Sequence, residues 1–191
     1  MPSARLQALL ERSTAQAPTY PEVGATRAAV LDGGALPPGY HHLRYQRLLG
    51  TGDAVFEAAA ASVMSWGTHR GVGFDLVSTS PVAVQGATVA FGIGRGPLVL
   101  PASCRVVWTV DEPGRRGFGY ATLPMHPEDG EEAFVVSTDS AWRVWIELVA
   151  FSNAGRWYTS LAGPAVPVLQ RVAVAAYARA VGAEVRAATG R

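Results

Sequence analysis

Between Val72 and Phe151 six runs rich in β-branched and aromatic residues succeed one another with only short breaks. They fall near Val72–Ser78, Val84–Gly92, Leu98–Val110, Arg116–Leu123, Glu131–Thr138 and Trp142–Phe151. Turn formers part them: Ser80-Pro81, Gly94-Arg95-Gly96-Pro97, Asp111-Glu112-Pro113-Gly114 and Asp139-Ser140. A parallel pair needs a crossover of roughly a dozen residues or more, so breaks this short dictate antiparallel neighbours.

A further strand, His41–Leu49, precedes this series. After it Val55, Phe56, Ala59, Ala60, Val63 and Met64 recur at helical spacing, and Thr51 or Asp53 stands where a side chain can cap the first turn. Ser65-Trp66-Gly67-Thr68-His69-Arg70-Gly71 then breaks the helix. At the far end Val166, Leu169, Val172, Ala173, Ala176, Tyr177, Ala180 and Val181 form an apolar stripe, with Arg171, Arg179 and Arg186 on another face. Pro164 and Pro167 are tolerated near such a helix start. A helix with this stripe packs on something, and the sheet is the available partner. The expected fold is α+β: a seven-stranded curved antiparallel sheet wrapped around a long C-terminal helix. Curvature leaves space between sheet and helix, and ligand sites are concave and mostly apolar.

The first part of the chain reads differently. Ala4–Arg12 suits a short helix, but Pro18, Pro21, Gly24, Gly33, Gly34, Pro37, Pro38 and Gly39 punctuate the stretch beyond it. Residues 1–40 are therefore expected to be an arm packed on the surface, and residues 41–188 a single domain.

Composition removes several function classes. At 191 residues the chain can bury roughly 70% of its unfolded surface and needs no disulfide or metal to fold. With 49% hydrophobic and 16% charged residues it is too apolar for disorder, and no apolar run reaches the ~18 residues of a membrane span. The opening MPSARLQALL lacks the pattern of a secretory signal, so the cytoplasm is the expected location. A net charge of +1 gives no basis for expecting nucleic acid as a partner. All 16 basic residues are Arg, so Schiff-base and Lys-base chemistry are excluded. Cys104 stands alone, which excludes an internal disulfide and a multi-Cys metal site; it is expected to be buried and inert.

The order strand, helix, six strands, long helix resembles the START-like helix-grip superfamily over about His41–Ala188. That superfamily includes plant pollen-allergen-like proteins, lipid carriers and polyketide cyclases. A second resemblance rests on residues. Cys104-Arg105-Val106-Val107-Trp108, then Gly117-Phe118-Gly119-Tyr120-Ala121-Thr122-Leu123-Pro124-Met125-His126-Pro127-Glu128-Asp129-Gly130-Glu131-Glu132-Ala133-Phe134, look like the signature of an uncharacterised bacterial and plant family of unknown function. Ala150-Phe151-Ser152 and Leu161-Ala162-Gly163-Pro164 are similar to it too. This second resemblance implies no activity.

Chemistry concentrates between Tyr120 and Glu132, where a phenol, an imidazole and four carboxylates share thirteen residues. His126 suits acid or base work near neutral pH, although His-Pro-Glu-Asp-Gly also reads as a solvated hairpin loop. Strand alternation sends Glu131 and Glu132 to opposite faces, one of them toward the cavity. It puts Phe118 and Tyr120 on one face, opposite Gly117 and Gly119, whose bareness suits sharp curvature. Trp66 and His69, at the end of the first helix, are expected near the cavity mouth. His41 and His42 face opposite ways and read as structural. Gly92-Ile93-Gly94-Arg95-Gly96-Pro97 lacks the helix and Lys of a phosphate loop. Ser103, Ser137 and Ser160 lack a nucleophile-elbow context. No His pair has zinc spacing, so neither a metal nor a cofactor is expected.

These readings lead to an expected apolar small-molecule binder, for a lipid, isoprenoid or polyketide-like compound, with ligand-binding residues Trp66, His69, Tyr120, His126 and Glu132. An alternative is a cyclase, hydratase or hydrolase using His126 or Glu132 as base and Tyr120 at a developing oxyanion. Another is a non-catalytic interaction module, with a homodimer as an open option, presenting Trp142 or Trp157.

Overall fold

The structure, a computed structural model, describes residues 4–94, 99–154 and 165–190, the side chains of 154 and 165–170 excepted. Two helices come first, α1 (Ala4–Ser13) and α2 (Ala25–Leu31). Next come β1 (His41–Thr51), α3 (Asp53–Met64), α4 (Gly67–Gly71), β2 (Leu76–Ser78), β3 (Thr88–Ile93), β4 (Leu100–Glu112), β5 (Arg115–Thr122), β6 (Glu128–Thr138), β7 (Arg143–Ala154) and the helix α5 (Ala165–Thr189). Seven strands form one antiparallel sheet in the order β1-β7-β6-β5-β4-β3-β2. The chain lays down one edge, crosses by α3 and α4 to the other edge, and returns strand by strand until β7 pairs with β1.

The inner face of the sheet is sealed by α3 and α5. Val55, Phe56, Ala59, Ala60 and Val63 of α3 and Val174, Tyr177, Ala178, Val181 and Val185 of α5 are all buried. They meet Phe91, Phe118, Phe134, Ile146 and Leu148 from the strands in one cluster. Fully burying a large side chain of this kind contributes roughly 1.5–3 kcal/mol, so this layer dominates the stability. Phe118 and Tyr120 share the inner face, as alternation requires, and Cys104 lies buried beside them.

The outer face is apolar as well, and α1 and α2 cover it. Ala29 of α2 packs with Trp108, Val110, Ala133, Val135 and Val149, and Leu6, Leu9 and Leu10 of α1 pack with Val77 and Ala90. Arg105 of β4 ties down the end of α1 by donating to the carbonyls of Ser13, Thr14 and Gln16 at 2.8, 2.9 and 2.7 Å. Arg44 of β1 does the same for α2, donating to the Ala29 carbonyl at 2.9 Å.

Four local expectations need correction. The arm contains α2, which the breakers at Gly24 and Gly33-Gly34 hide. Neither Thr51 nor Asp53 caps α3: Gly52 holds the cap position at φ 90° and no side-chain bond is made. The stretch that ends α3 contains a helix of its own, α4. The strand near Val72–Ser78 shrinks to β2, because the Gly73 and Phe74 amides fold back onto the carbonyls of Arg70 and His69.

One irregularity sets what faces where. Val106 pairs with Tyr120 but Trp108 pairs with Gly119, so Val107 is an extra residue in β4. Val106 therefore joins the inner core while Trp108 joins the outer one. The Trp108 indole crosses the bare backbone of Gly119, where a Cβ would overlap it. Bulges re-aim side chains in this way.

Candidate functional site

A cavity of about 430 Å³ opens between the sheet and α5. Strands β1, β3, β4, β5, β6 and β7 line it on one side, and Ala173, Val174 and Tyr177 of α5 on the other. Leu43, Phe74, Phe91, Ile93 and Leu100 supply apolar wall, and Tyr120, Thr122, His126, Glu128 and Glu132 supply polar groups.

Tyr120 and Glu132 stand directly opposite each other on β5 and β6. The Tyr120 hydroxyl donates to Glu132 Oε2 at 3.0 Å. Behind it lies His69 of α4, fully buried, with Nε2 at 3.2 Å from the same hydroxyl and Nδ1 at 2.9 Å from Thr68 Oγ1. One tautomer satisfies the whole row: the Thr68 hydroxyl donates to Nδ1, Nε2–H to the Tyr120 oxygen, and the Tyr120 hydroxyl to Glu132. Burial, reinforced by Arg70, lowers the His69 pKa to about 3, so the ring is neutral and fits this pattern. Burial also pushes the Glu132 carboxyl up to about 7, against the Tyr120 hydrogen bond that favours its charge and with Glu128 adding to the rise. The Tyr120 and Tyr177 phenols are raised by burial first and by Glu132 next.

Trp66 is not part of the wall. It sits in the core at φ 66°, a left-handed backbone that costs a bulky residue about 1–3 kcal/mol. Its indole donates to the Ser80 carbonyl at 3.2 Å, and its ring contacts Phe118 and His69. This residue turns the chain from α3 into α4 and so aims His69 at Tyr120. His69 likewise stands behind the cavity, hydrogen-bonded to Tyr120 and in ring contact with Phe91 and Tyr177 of the lining.

His126 does line the cavity, which corrects the picture of a solvated hairpin loop. Its Nδ1 accepts the Glu128 amide at 3.0 Å, and burial lowers its pKa to about 4. The structure thus brings Tyr120, Glu132 and His69 into one hydrogen-bonded row, while His126 occupies another part of the same lining. Sequence reasoning missed Tyr177, Phe91 and His41. Tyr177 was visible only as one member of the α5 stripe, and His41 lines the cavity although its strand position reads as structural.

Glu131 serves the opposite face. Its carboxylate accepts from the Tyr20 hydroxyl at 2.5 Å, from the Gly24 and Thr26 amides at 2.6 and 2.9 Å, and from the Thr26 hydroxyl. The Trp108 indole adds a bond to Thr26 Oγ1 at 3.0 Å. Glu131 thereby caps α2 from a distance of more than a hundred residues in sequence and holds residues 20–26 on the sheet.

Among the described residues, no three His, Cys, Asp or Glu groups converge as metal ligands and no helix is long and apolar enough to cross a membrane. Trp142 is exposed in the β6–β7 turn. Trp157, Ser160, Leu161-Ala162-Gly163-Pro164 and Arg95-Gly96-Pro97 lie outside the described residues.

A family described as a domain of unknown function, DUF1990, matches residues 19–180. The UPF0548 protein of Deinococcus radiodurans is 35% identical over 190 residues, covering 92% of this chain and 91% of its own length. The UPF0548 protein of Arabidopsis thaliana is 28% identical over 134 residues, covering 65% and 63%. Among solved structures, a hypothetical protein from Helicobacter pylori superposes with a TM-score of 0.62 at 10% identity, over 89% of this chain and 96% of that one. An aromatase/cyclase from Streptomyces sp. R1128 gives 0.54 at 15% identity, over 77% and 94%. At such identities the likeness is one of fold, the START-like helix-grip.

Proposed function

The chain belongs to the DUF1990 family of unknown function, found in bacteria and plants, and from that starting point we propose that it binds a small or medium apolar molecule between its sheet and α5. The observation that carries this reading is the cavity of about 430 Å³, apolar along Leu43, Phe74, Phe91 and Ile93 and polar at Tyr120 and Glu132. Apolar walls give affinity by removing ligand surface from water, and a few fixed polar groups give orientation. Tyr120, His126 and Glu132 act from the wall; His69 and Trp66 act behind it, holding Tyr120 in place. The aromatase/cyclase likeness is compatible with such a cavity.

A second reading, acid–base catalysis on the bound molecule, is favoured by one observation. Glu132, held near neutrality at about 7, is hydrogen-bonded to a phenol that can steady a developing oxyanion.

Native mass spectrometry of freshly purified protein tests the binding reading. The expected result is a discrete extra mass that disappears on denaturation. If no extra mass is found, and no lipid, isoprenoid or aromatic acid from a panel raises the melting temperature, the reading is wrong.

A further inference from the structure

We infer that the polar end of the cavity, where Glu132 and Tyr120 meet within aromatic walls, receives a protonated amine carried on an apolar body. This rests on the reading that the cavity binds a ligand, and it specifies the ligand's charge.

Glu132 is the centre of the case. One of its oxygens accepts the Tyr120 hydroxyl at 3.0 Å, and the side chain faces the cavity. Among the described residues no donor engages the other oxygen. The side chain is half-buried with its second oxygen open to the cavity, and partial loss of water makes its charge costlier, as its raised pKa reflects. An incoming ammonium group would supply the missing donor and the missing charge together.

The surroundings suit a cation. Phe74 and Phe91 stack with centroids 5.8 Å apart, and Tyr177 stands edge-on to Phe74 at 6.3 Å. These rings and Tyr120 line the same cavity as Glu132, and aromatic rings attract cations that come within about 6 Å of their faces. No lining residue among those described is Arg, and the chain has no Lys. Of the three imidazoles in or behind the lining, His69 and His126 add no charge near neutral pH, because burial keeps both in the neutral form; His41 is the third, on β1. Glu128 contributes a second carboxylate to the lining. A carboxylate ligand would meet like charge there; an alcohol would leave the charge of Glu132 uncompensated; an amine answers both.

Three probes sharing one naphthyl body test this by isothermal titration at neutral pH: naphthylethylamine, naphthylethanol and naphthylacetate. The amine is expected to bind about tenfold tighter than the alcohol, with naphthylacetate weakest. Glu132→Gln is expected to close the gap between amine and alcohol. If the alcohol matches the amine, or naphthylacetate binds best, the inference about charge is overturned and the binding reading stands. If none of the three binds and native mass spectrometry shows no retained mass, the binding reading itself has failed, and this inference with it. The titrations on the unmodified protein decide the question even if the variant does not fold.

Discussion

Glu131 and Glu132 are neighbours in the chain with opposite fates. Glu131 is wrapped in donors under the arm, whereas Glu132 has its Tyr120 bond and an open side toward the cavity. Their separation to two faces was legible from strand alternation alone. His69 stood out as a candidate, but its pairing with Tyr120 was not legible: the two lie 51 residues apart and meet where Trp66 turns the chain. The raised pKa of Glu132 has a consequence for stability. The folded protein holds that proton more tightly than the unfolded chain, so its contribution is complete below the ordinary carboxylate value of 4.5 and is lost as pH rises through about 7. Glu132→Gln escapes the loss. Relative to the parent it is expected to gain about 2–3 kcal/mol between pH 4 and pH 8, measured by urea unfolding. His69 and His126 change stability in the opposite direction, but they are common to both proteins and cancel in the difference. Parallel stability–pH curves for the two proteins would contradict the assignment.

At the scale of elements, helices with a periodic face were readable and those without one were not. The periodicity of α3 and α5 is local information. The seven residues of α2 lack a side-chain cap of their own, and the donors at their start are met by Glu131 from β6. Nothing within the segment announces that partner. The bareness of the β5 glycines suggested sharp curvature; what the structure shows at Gly119 is the Trp108 indole laid across it, which nothing local announced. Gly119→Ala is expected to cost about 1–3 kcal/mol by displacing Trp108 and breaking its bond to Thr26. The check is a double-mutant cycle with Trp108→Leu, in which the cost of the alanine should largely vanish. Equal costs in both backgrounds would show that the glycine matters for another reason.

At the scale of the molecule, the sheet is covered twice. Ala133, Val135 and Val149 point to one side of β6 and β7 while Phe134, Val136 and Leu148 point to the other. Strands apolar on both faces need cover on both. The expected arm packed on the surface is thus the cover of the back of the sheet, with α1 and α2 of residues 4–31 set against its outer apolar side chains. Glu131→Ala leaves the Tyr20 hydroxyl and two amides of the arm without their acceptor. It is expected to cost about 3–5 kcal/mol and to open the arm to trypsin at Arg12 and Arg27. An unchanged urea midpoint with a protease-resistant arm would mean that apolar packing alone holds the arm.

The extra residue at Val107 gives β4 a change of parity. Upstream of it the even positions Ala102, Cys104 and Val106 look into the molecule; downstream the even positions Trp108 and Val110 look out toward the arm. Point substitutions can alter what each face carries, but they cannot reassign the faces. Removing one residue there would invert an entire half-strand, turning either Arg105 or Trp108 to the wrong side of the sheet. In β4 the number of residues, as much as their identity, decides which face each side chain takes.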